Sequence, residues 1–166
     1  MSKADFRVGI LTLSDKGARG ERADESGQLI GEMIAPIGSV TRYQVIPDAA
    51  EKIVMVLTSW ADDLHLDLIL TTGGTGLSPR DLTPQATAQV LDYQVPGMAE
   101  AMRSVSMLKT SRAMLSRALV GVRGQTLIIN LPGSPKAVRE NLEVLLPVLP
   151  HALAKLQGDQ SDCAET

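Results

Sequence analysis

Apolar residues along the chain alternate between strand-like and helix-like spacing. Residues 6–13 (FRVGILTL) and 67–71 (DLILT) are short, nearly continuous apolar runs of the kind that form buried strands, and residues 40–46 (VTRYQVI) alternate as a strand does. Residues 25–35 (ESGQLIGEMIA) instead place four large apolar side chains on one face of a helix. Strands that alternate with helices in this way predict a mostly parallel sheet.

Capping residues and prolines predict where other helices begin. Asp48 is a good N-cap, and Glu51 follows it at the spacing of a capping box. Thr83-Pro84 combines an N-cap with a proline at the first helical position, and Ser134-Pro135 has the same form. Pro96 opens a further helix.

The end of the chain completes the prediction of an α/β fold. Residues 117–122 and 125–131 are two apolar runs on either side of an Arg-Gly turn, which predicts a hairpin at one edge of the sheet. Residues 135–156 form a last helix, which two internal prolines should kink or split. We therefore expect a single three-layer domain over residues 1–157, with helices on both faces of the sheet, and a flexible tail over residues 158–166.

Composition and charge exclude several classes of protein. A net charge of −3 over 166 residues, with only one Phe, one Trp and two Tyr, favours neither a basic stripe nor a stacking platform for nucleic acid. The only cysteine is Cys163, which excludes an intramolecular disulfide and a cysteine-rich zinc site. The longest runs without Asp, Glu, Lys or Arg are twelve residues, too short to span a bilayer. We expect a cytoplasmic protein, without nucleic-acid or membrane partners.

Residues 71–81 (TTGGTGLSPRD) carry the strongest chemical signal. Gly73, Gly74 and Gly76 lie within four residues directly after a predicted strand. Glycine suits a backbone that turns sharply or approaches a ligand closely, and the amides of such a loop beside the helix that begins at Thr83 would suit phosphate oxygens. A plain tight turn is the alternative. The sequence has neither a Walker A motif nor a G-x-G-x-x-G motif.

Two further loops should meet the glycine loop, because parallel strands end at the same edge of a sheet. One follows Leu13, and the other is residues 130–136 (NLPGSPK). Asp15, Asp48 and Asp81 lie beside these loops. Carboxylates next to phosphate repel it unless a cation intervenes, so they predict Mg²⁺, which takes one or two carboxylates together with substrate phosphates. For Asp48, capping a helix is the alternative role.

Taken in order, these motifs resemble the signature of the molybdopterin-binding fold. They are Leu13-Ser14-Asp15, Ile46-Pro47-Asp48, Thr71-Thr72-Gly73-Gly74-Thr75-Gly76, Arg80-Asp81-x-Thr83-Pro84-x-Ala86-Thr87, Pro96-Gly97-x-x-Glu100-x-x-Arg103 and Asn130-Leu131-Pro132-Gly133-Ser134-Pro135. The resemblance extends from about residue 6 to residue 157. It is greatest to the molybdopterin adenylyltransferases, which comprise the bacterial Mog proteins and the plant G domain.

The resemblance implies an enzyme of molybdenum-cofactor biosynthesis, which transfers AMP from Mg-ATP to the terminal phosphate of molybdopterin and releases pyrophosphate. It implies that Asp48 and Asp81 are catalytic and hold Mg²⁺. It further implies a glycine-loop site for ATP and a pterin site that includes Ser116 and Asn130. The full set of residues expected to bind either substrate is Ser14, Asp15, Thr72, Gly73, Gly74, Thr75, Gly76, Glu100, Ser116, Asn130, Pro132, Gly133 and Ser134.

The resemblance also implies a homotrimer without a tightly bound prosthetic group, and transient contact with a separate protein that inserts molybdate. Residues 16–25 (KGARGERADE) depart from the family pattern because they are more charged than its first loop. Two other interpretations remain. The first is a non-catalytic molybdopterin-binding or scaffold trimer. The second is a related domain of nucleotide-processing proteins, against which Ser116, Asn130 and the single domain argue.

Overall fold

Strands and helices alternate in the computed structural model, which describes residues 5–161. The strands are β1 (Phe6–Leu13), β2 (Gly38–Ile46), β3 (Leu68–Thr72), β4 (Tyr93–Gln94), β5 (Val120–Arg123) and β6 (Thr126–Leu131). The α-helices are α1 (Asp15–Ala18), α2 (Glu25–Ile34), α3 (Ala50–Asp62), α4 (Thr83–Val90), α5 (Pro96–Met107), α6 (Pro135–Leu145) and α7 (Leu149–Leu156), and a short 3₁₀ helix spans Ser111–Leu115.

The six strands form one sheet in the order β2-β1-β3-β6-β5-β4. The first four are mutually parallel, and β5 and β4 run antiparallel to their neighbours. The predicted hairpin is confirmed as β5 and β6, which turn at Gly124 with a φ of +57°. The edge of the sheet lies one strand further out than predicted, because the two residues of β4 pair with β5. The α/β prediction is confirmed.

Helices cover both faces of the sheet and enclose two separate cores. Side chains of α3 and α4, including Leu57 and Trp60, pack on one face. Those of α2, α5, α6 and α7, including Ile30 and Leu142, pack on the other. Every residue of β3 and β6 is buried, which explains why these strands are continuous apolar runs in the sequence. The last helix is split between Leu145 and Leu149, as its prolines predict.

A buried polar cluster fixes the carboxyl ends of β3 and β6. Asn130 has no exposed surface, and its amide nitrogen donates to the hydroxyls of Thr71 at 2.9 Å and Thr87 at 3.0 Å. Its Oδ1 accepts from the amide of Leu119 at 3.1 Å. One side chain thus connects β3, β6, α4 and the chain that leads into β5, directly below the loop edge of the sheet.

Two of the predicted helix caps are wrong. The N-cap of α3 is Ala49, without a side-chain hydrogen bond, and Asp48 lies one residue earlier, so the capping box with Glu51 does not form. The N-cap of α4 is Leu82, and the Thr83 hydroxyl donates instead to the carbonyl of Gly73 at 2.9 Å. In both cases the side chain that the local sequence predicts as a helix cap forms a hydrogen bond with a residue outside the helix instead. The N-cap role of Ser134 is confirmed by its bond from the amide of Ala137.

The charged first loop also differs in part from expectation. The segment after β1 contains the short helix α1, capped by Ser14, and is not entirely loop. Residues 158–161 of the expected tail follow α7, where Lys155 donates to the carbonyl of Asp159. The remaining residues of the predicted tail, including Cys163, lie outside the described residues. Within the described part of the chain, no helix combines the length and apolar character needed to cross a membrane.

We expect Asn130→Ala to lower the free energy of unfolding by about 2–3 kcal/mol, because the Leu119 amide and two threonine hydroxyls lose a buried partner. Urea denaturation measures the change. The matched control, Gln89→Ala, removes an exposed amide from α4 and should change it by less than about 0.5 kcal/mol. Equal effects of the two substitutions would show that the cluster contributes no stability.

Candidate functional site

The three loops predicted to share one edge of the sheet do meet there. The hydroxyl of Thr72 donates to the carbonyl of Pro132 at 2.6 Å, and that of Ser26 donates to the carbonyl of Gly133 at 2.7 Å. Leu13, at the end of β1, lies against Gly73 in the loop after β3. If Gly73 carried a side chain, its Cβ would be only 2.5 Å from the carbonyl oxygen of Leu13. The loops after β1, β3 and β6 therefore form a single surface.

The glycine loop, residues 73–76, requires glycine at its first two positions. Gly73 and Gly74 have φ values of +98° and +68°, in the region that side chains rarely adopt. A Cβ on Gly74 would also lie 2.4 Å from the Thr83 hydroxyl. Within the described residues, the amides of Gly74, Thr75, Gly76 and Leu77 make no hydrogen bond. Four successive donors are thus available to a ligand such as a phosphate.

A cavity of about 450 Å³ lies on one side of the glycine loop. The sequence-predicted residues that line it are Ser14, Thr72, Gly73, Gly133 and Ser134. The N-caps of α2 and α6, Asp24 and Ser134, lie in its wall, so the amino ends of two helices face it. Helix amino ends carry partial positive charge, which favours an anionic ligand.

A second cavity, of about 260 Å³, lies on the other side of the loop. Its sequence-predicted residues are Thr75, Gly76, Ser116 and Pro132. Polar groups of Arg103, Ser106 and Asn141 also line it. The Arg103 guanidinium donates to the carbonyl of Ala118 at 2.9 Å, which holds α5 against the segment that carries Ser116. The two cavities thus share the glycine loop as their common wall.

Four of the predicted binding residues, Asp15, Gly74, Glu100 and Asn130, line neither cavity, and neither do Asp48 and Asp81. Asp15 and Gly74 still belong to the loops at this edge, whereas Glu100 and Asn130 lie on α5 and β6. Glu100 is exposed on α5. Asn130 is enclosed beneath the loops, with its side chain engaged by Leu119, Thr71 and Thr87. The structure therefore brings the predicted glycines, serines and Pro132 together, and leaves these two outside the assembled surface.

Asp15 and Asp48 are tied together by reciprocal hydrogen bonds. The Asp15 amide donates to Oδ2 of Asp48 at 3.2 Å, and the Asp48 amide donates to Oδ1 of Asp15 at 3.0 Å. Arg80 donates to both oxygens of Asp15, at 2.8 Å from Nη2. The hydrogen bonds from Arg80, and then that from the Asp48 amide, lower the pKa of Asp15.

Asp48 has the opposite electrostatic environment. Burial raises the pKa of its carboxyl, and the negative charge of Asp15 and, to a smaller extent, that of Asp81 raise it further. This carboxylate lies against the glycine loop: if Gly74 carried a side chain, its Cβ would be 3.2 Å from Oδ1 of Asp48. Asp48 is therefore the acid of the cluster whose charge is least compensated by the protein.

Asp81 lies against the same loop, two residues further along. Its Oδ2 would be 2.9 Å from a Cβ on Gly76 and accepts from the Ser78 amide at 3.0 Å. Within the described residues, no three His, Cys, Asp or Glu side chains are close enough to form a complete metal site. Asp48 and Asp81 could hold a divalent cation only together with ligands from a substrate.

Comparisons with known proteins identify the family of this chain. The sequence profile of the family described as "Probable molybdopterin binding domain" matches residues 9–151. The chain belongs to this molybdopterin-binding domain family. A molybdopterin adenylyltransferase of Helicobacter pylori is 38% identical, over 93% of this chain and 89% of that protein. Gephyrin of Dictyostelium discoideum is 46% identical over 93% of this chain, but the chain spans only 23% of gephyrin.

Solved structures of the family have the same fold. The molybdopterin biosynthesis enzyme MoaB of Thermus thermophilus is 58% identical, with a TM-score of 0.88 over 93% of this chain and 98% of that one. The Mog protein of Mycobacterium ulcerans is 41% identical, with a TM-score of 0.85 over 92% and 99% of the two chains. CinA of Thermoplasma acidophilum, at 17% identity and a TM-score of 0.65, shares the fold alone.

Sequence reasoning missed Asp24 as a structural part of this molybdopterin-binding domain. Its Oδ1 caps α2 through the Gly27 amide at 2.9 Å, and its Oδ2 accepts from the hydroxyls of Thr12 and Tyr43. Burial and the bond to Asp24 raise the pKa of Tyr43. The Asp24-x-x-Gly27 spacing before an apolar helix was the available signal, since it is typical of an N-cap. The charged loop thus ends in a fixed carboxylate on the wall of the first cavity.

We expect Asp48→Asn to raise the melting temperature of this molybdopterin-binding domain at pH 7 by about 1–3 °C. The folded-state pKa of Asp48 lies above its ordinary value of 3.8, so ionisation of this group favours the unfolded chain. The stability that protonated Asp48 contributes is present below pH 3.8 and is lost as the pH rises through the folded-state pKa.

Thermal unfolding of wild type and Asp48→Asn between about pH 3 and pH 8 measures this effect. The two melting temperatures should converge near about pH 3, where Asp48 is protonated in both states. Asp63→Asn, at an exposed position after α3, is the control and should not stabilise the protein. A melting temperature of Asp48→Asn below that of wild type at pH 7 would contradict the argument that burial and neighbouring carboxylates make ionised Asp48 unfavourable in the folded protein.

Proposed function

We propose that this protein is a molybdopterin adenylyltransferase, which transfers AMP from ATP to the terminal phosphate of molybdopterin. The observation that supports this most strongly is the glycine loop itself. Four successive amides there have no partner within the described chain, Gly73 lines the first cavity and Thr75 and Gly76 the second, and Asp48 and Asp81 lie against the loop. Relatives named molybdopterin adenylyltransferase, at 38–39% identity, support a role in molybdenum-cofactor biosynthesis through adenylylation.

We assign the nucleotide to the first cavity and molybdopterin to the second. The first cavity offers two helix amino ends to a polyphosphate, and the second contains Ser116, for which the family resemblance implies a pterin contact. Because both cavities share the glycine loop, the terminal phosphate of a bound pterin would meet the α-phosphate of ATP there. Asn130 then acts from below, by fixing the strands that carry the loops.

The chain's own residues would act by positioning and by charge stabilisation. An oxygen of the pterin phosphate forms a bond to the α-phosphorus of ATP. The bond between that phosphorus and the oxygen that bridges it to the β-phosphorus breaks, and pyrophosphate leaves with the electron pair of this bond. The attacking phosphate is already ionised at neutral pH, so no protein base is required. The loop amides would stabilise the negative charge on the transferred group.

The residues present fit a magnesium ion that is shared with the substrate. Asp48 and Asp81 would hold it. Burial and then the negative charge of Asp15 raise the pKa of Asp48, and a bound cation would favour its ionised form. Bound Mg²⁺ would neutralise phosphate charge during transfer.

Incubation with molybdopterin, ATP and Mg²⁺, followed by mass spectrometry of the product, tests the proposal. We expect Asp81→Asn to reduce formation of adenylyl-molybdopterin by at least ~100-fold, because it removes a charge that would hold the metal, while the melting temperature stays near that of wild type. Asp63→Asn, at an exposed position, should retain full activity. A wild-type protein that binds molybdopterin but forms no product would favour the non-catalytic scaffold.

A homotrimer is the second part of the proposal. An apolar surface that a subunit contact would cover is formed by side chains with exposures of 43–84%. They are Met107 at the end of α5, its C-cap Leu108, and Met114 and Leu115 on the adjacent 3₁₀ helix. The adenylylated product would then pass to a molybdate-insertion protein, which we propose as a transient partner.

We expect Leu108→Glu to shift the mass of the protein in solution from three chains towards one, because Leu108 is 84% exposed in the isolated chain and carries no internal packing. Light scattering after size-exclusion chromatography measures the mass. Met55→Glu places the same charge on the exposed side of α3 and should leave the assembly intact. A wild-type protein with the mass of one chain would refute the trimer.

A further inference from the structure

Four successive carbonyls of the glycine loop are held by only two residues. The Gly73 carbonyl accepts from the Thr83 hydroxyl at 2.9 Å, and the Gly74 carbonyl accepts from the Thr83 amide at 3.2 Å. The Thr75 carbonyl accepts from the Arg117 amide at 2.9 Å, and the Gly76 carbonyl accepts from Nε of Arg117 at 2.8 Å. Nη2 of Arg117 also binds the carbonyl of Asp81 at 2.8 Å.

These bonds fix the direction of the loop amides. In a trans peptide the carbonyl of one residue and the N–H of the next point in opposite directions. Binding of the Gly73 and Gly74 carbonyls by Thr83 therefore turns the amides of Gly74 and Thr75 away from α4. Binding of the Thr75 and Gly76 carbonyls by Arg117 likewise turns the amides of Gly76 and Leu77 away from Arg117. These four amides are the ones without a partner in the described chain.

We propose that Thr83 and Arg117 are positioning residues that orient the amide nest for polyphosphate, each for its own half of the loop. Thr83 sets the half that begins at Gly74, and the Arg117 side chain sets the half that ends at Leu77. The Arg117 side chain also holds the main chain at Asp81, next to the carboxylate assigned to catalysis. This inference rests on the proposed function only in taking polyphosphate as the ligand of the loop.

The structure separates this role from simple structural support. Thr83 is fully buried, so Thr83→Val keeps its shape and removes only the hydroxyl donor, and Thr83→Ser restores that donor. Arg117 is half-buried, so Arg117→Met keeps most of its length and removes the donors to Gly76 and Asp81. The amide of Arg117 still binds the Thr75 carbonyl in that variant.

The experiment titrates the full-length protein with inorganic pyrophosphate and Mg²⁺ and follows the backbone amide resonances by NMR. In wild type we expect shifts at Gly74, Thr75, Gly76 and Leu77. In Arg117→Met the response should be lost at Leu77 and reduced at Gly76, and it should persist at Gly74 and Thr75. In Thr83→Val the loss should instead fall on Gly74, and Thr83→Ser should recover it.

The same titrations give the dissociation constant of pyrophosphate, which we expect to rise on the order of tenfold in Arg117→Met and Thr83→Val. Arg139→Met, at an exposed position on α6, is the matched control and should bind as wild type does. If Arg117→Met fails to fold, Arg117→Lys replaces it. Lysine keeps the positive charge but lacks the forked guanidinium that binds the Gly76 and Asp81 carbonyls together, so we again expect the largest loss of response at Leu77.

Three results would overturn the inference. They are the absence of any response at the loop amides of wild type, an equal loss at all four amides in a folded variant, and wild-type binding by both variants. Failure of the proposed function has a different signature. In that case pyrophosphate shifts the loop amides as described, but no adenylylated product forms from molybdopterin and ATP.

Discussion

A backbone segment can offer its amides to a ligand only if its carbonyls are satisfied elsewhere. The glycine loop of this molybdopterin-binding domain meets that condition through Thr83 and Arg117, which lie at the start of α4 and just before β5. A loop whose four successive amides have no partner in the protein is held through its carbonyls, so those carbonyls need firm support from the other side. The sheet supplies that support.

The sheet supports the loop through buried polar contacts at its carboxyl edge. Asn130 links β3, β6 and α4, and Thr72 binds the carbonyl of Pro132 in the neighbouring loop. These contacts lie where apolar strand interiors give way to polar loops, and they set the spacing between the two cavities. The cavities therefore share one rigid wall, which suits a reaction that joins the phosphates of two substrates.

The acids beside this wall have unequal charge compensation. Arg80 lowers the pKa of Asp15, whereas burial and neighbouring carboxylates raise the pKa of Asp48. The free protein thus keeps one carboxylate in an unfavourable state next to an amide nest that favours anions. A cation and a polyphosphate, which we propose bind here together, would relieve both conditions. The ionised Asp48 carboxylate thus lowers stability at the proposed substrate site, as charged groups do at many active sites.

The sequence alone determined the layers of the fold, the glycine loop and the family, because hydrophobic spacing and short glycine and proline motifs are local properties. It also placed Asp15, Asp48 and Asp81 at one edge of the sheet. Only the tertiary structure decided how polar groups are shared. Asp48 and Thr83 have the local pattern of helix caps, yet each bonds to a loop distant in sequence. No local pattern indicates the contacts of Arg117, because its partners at Gly76 and Asp81 become neighbours only when the chain folds.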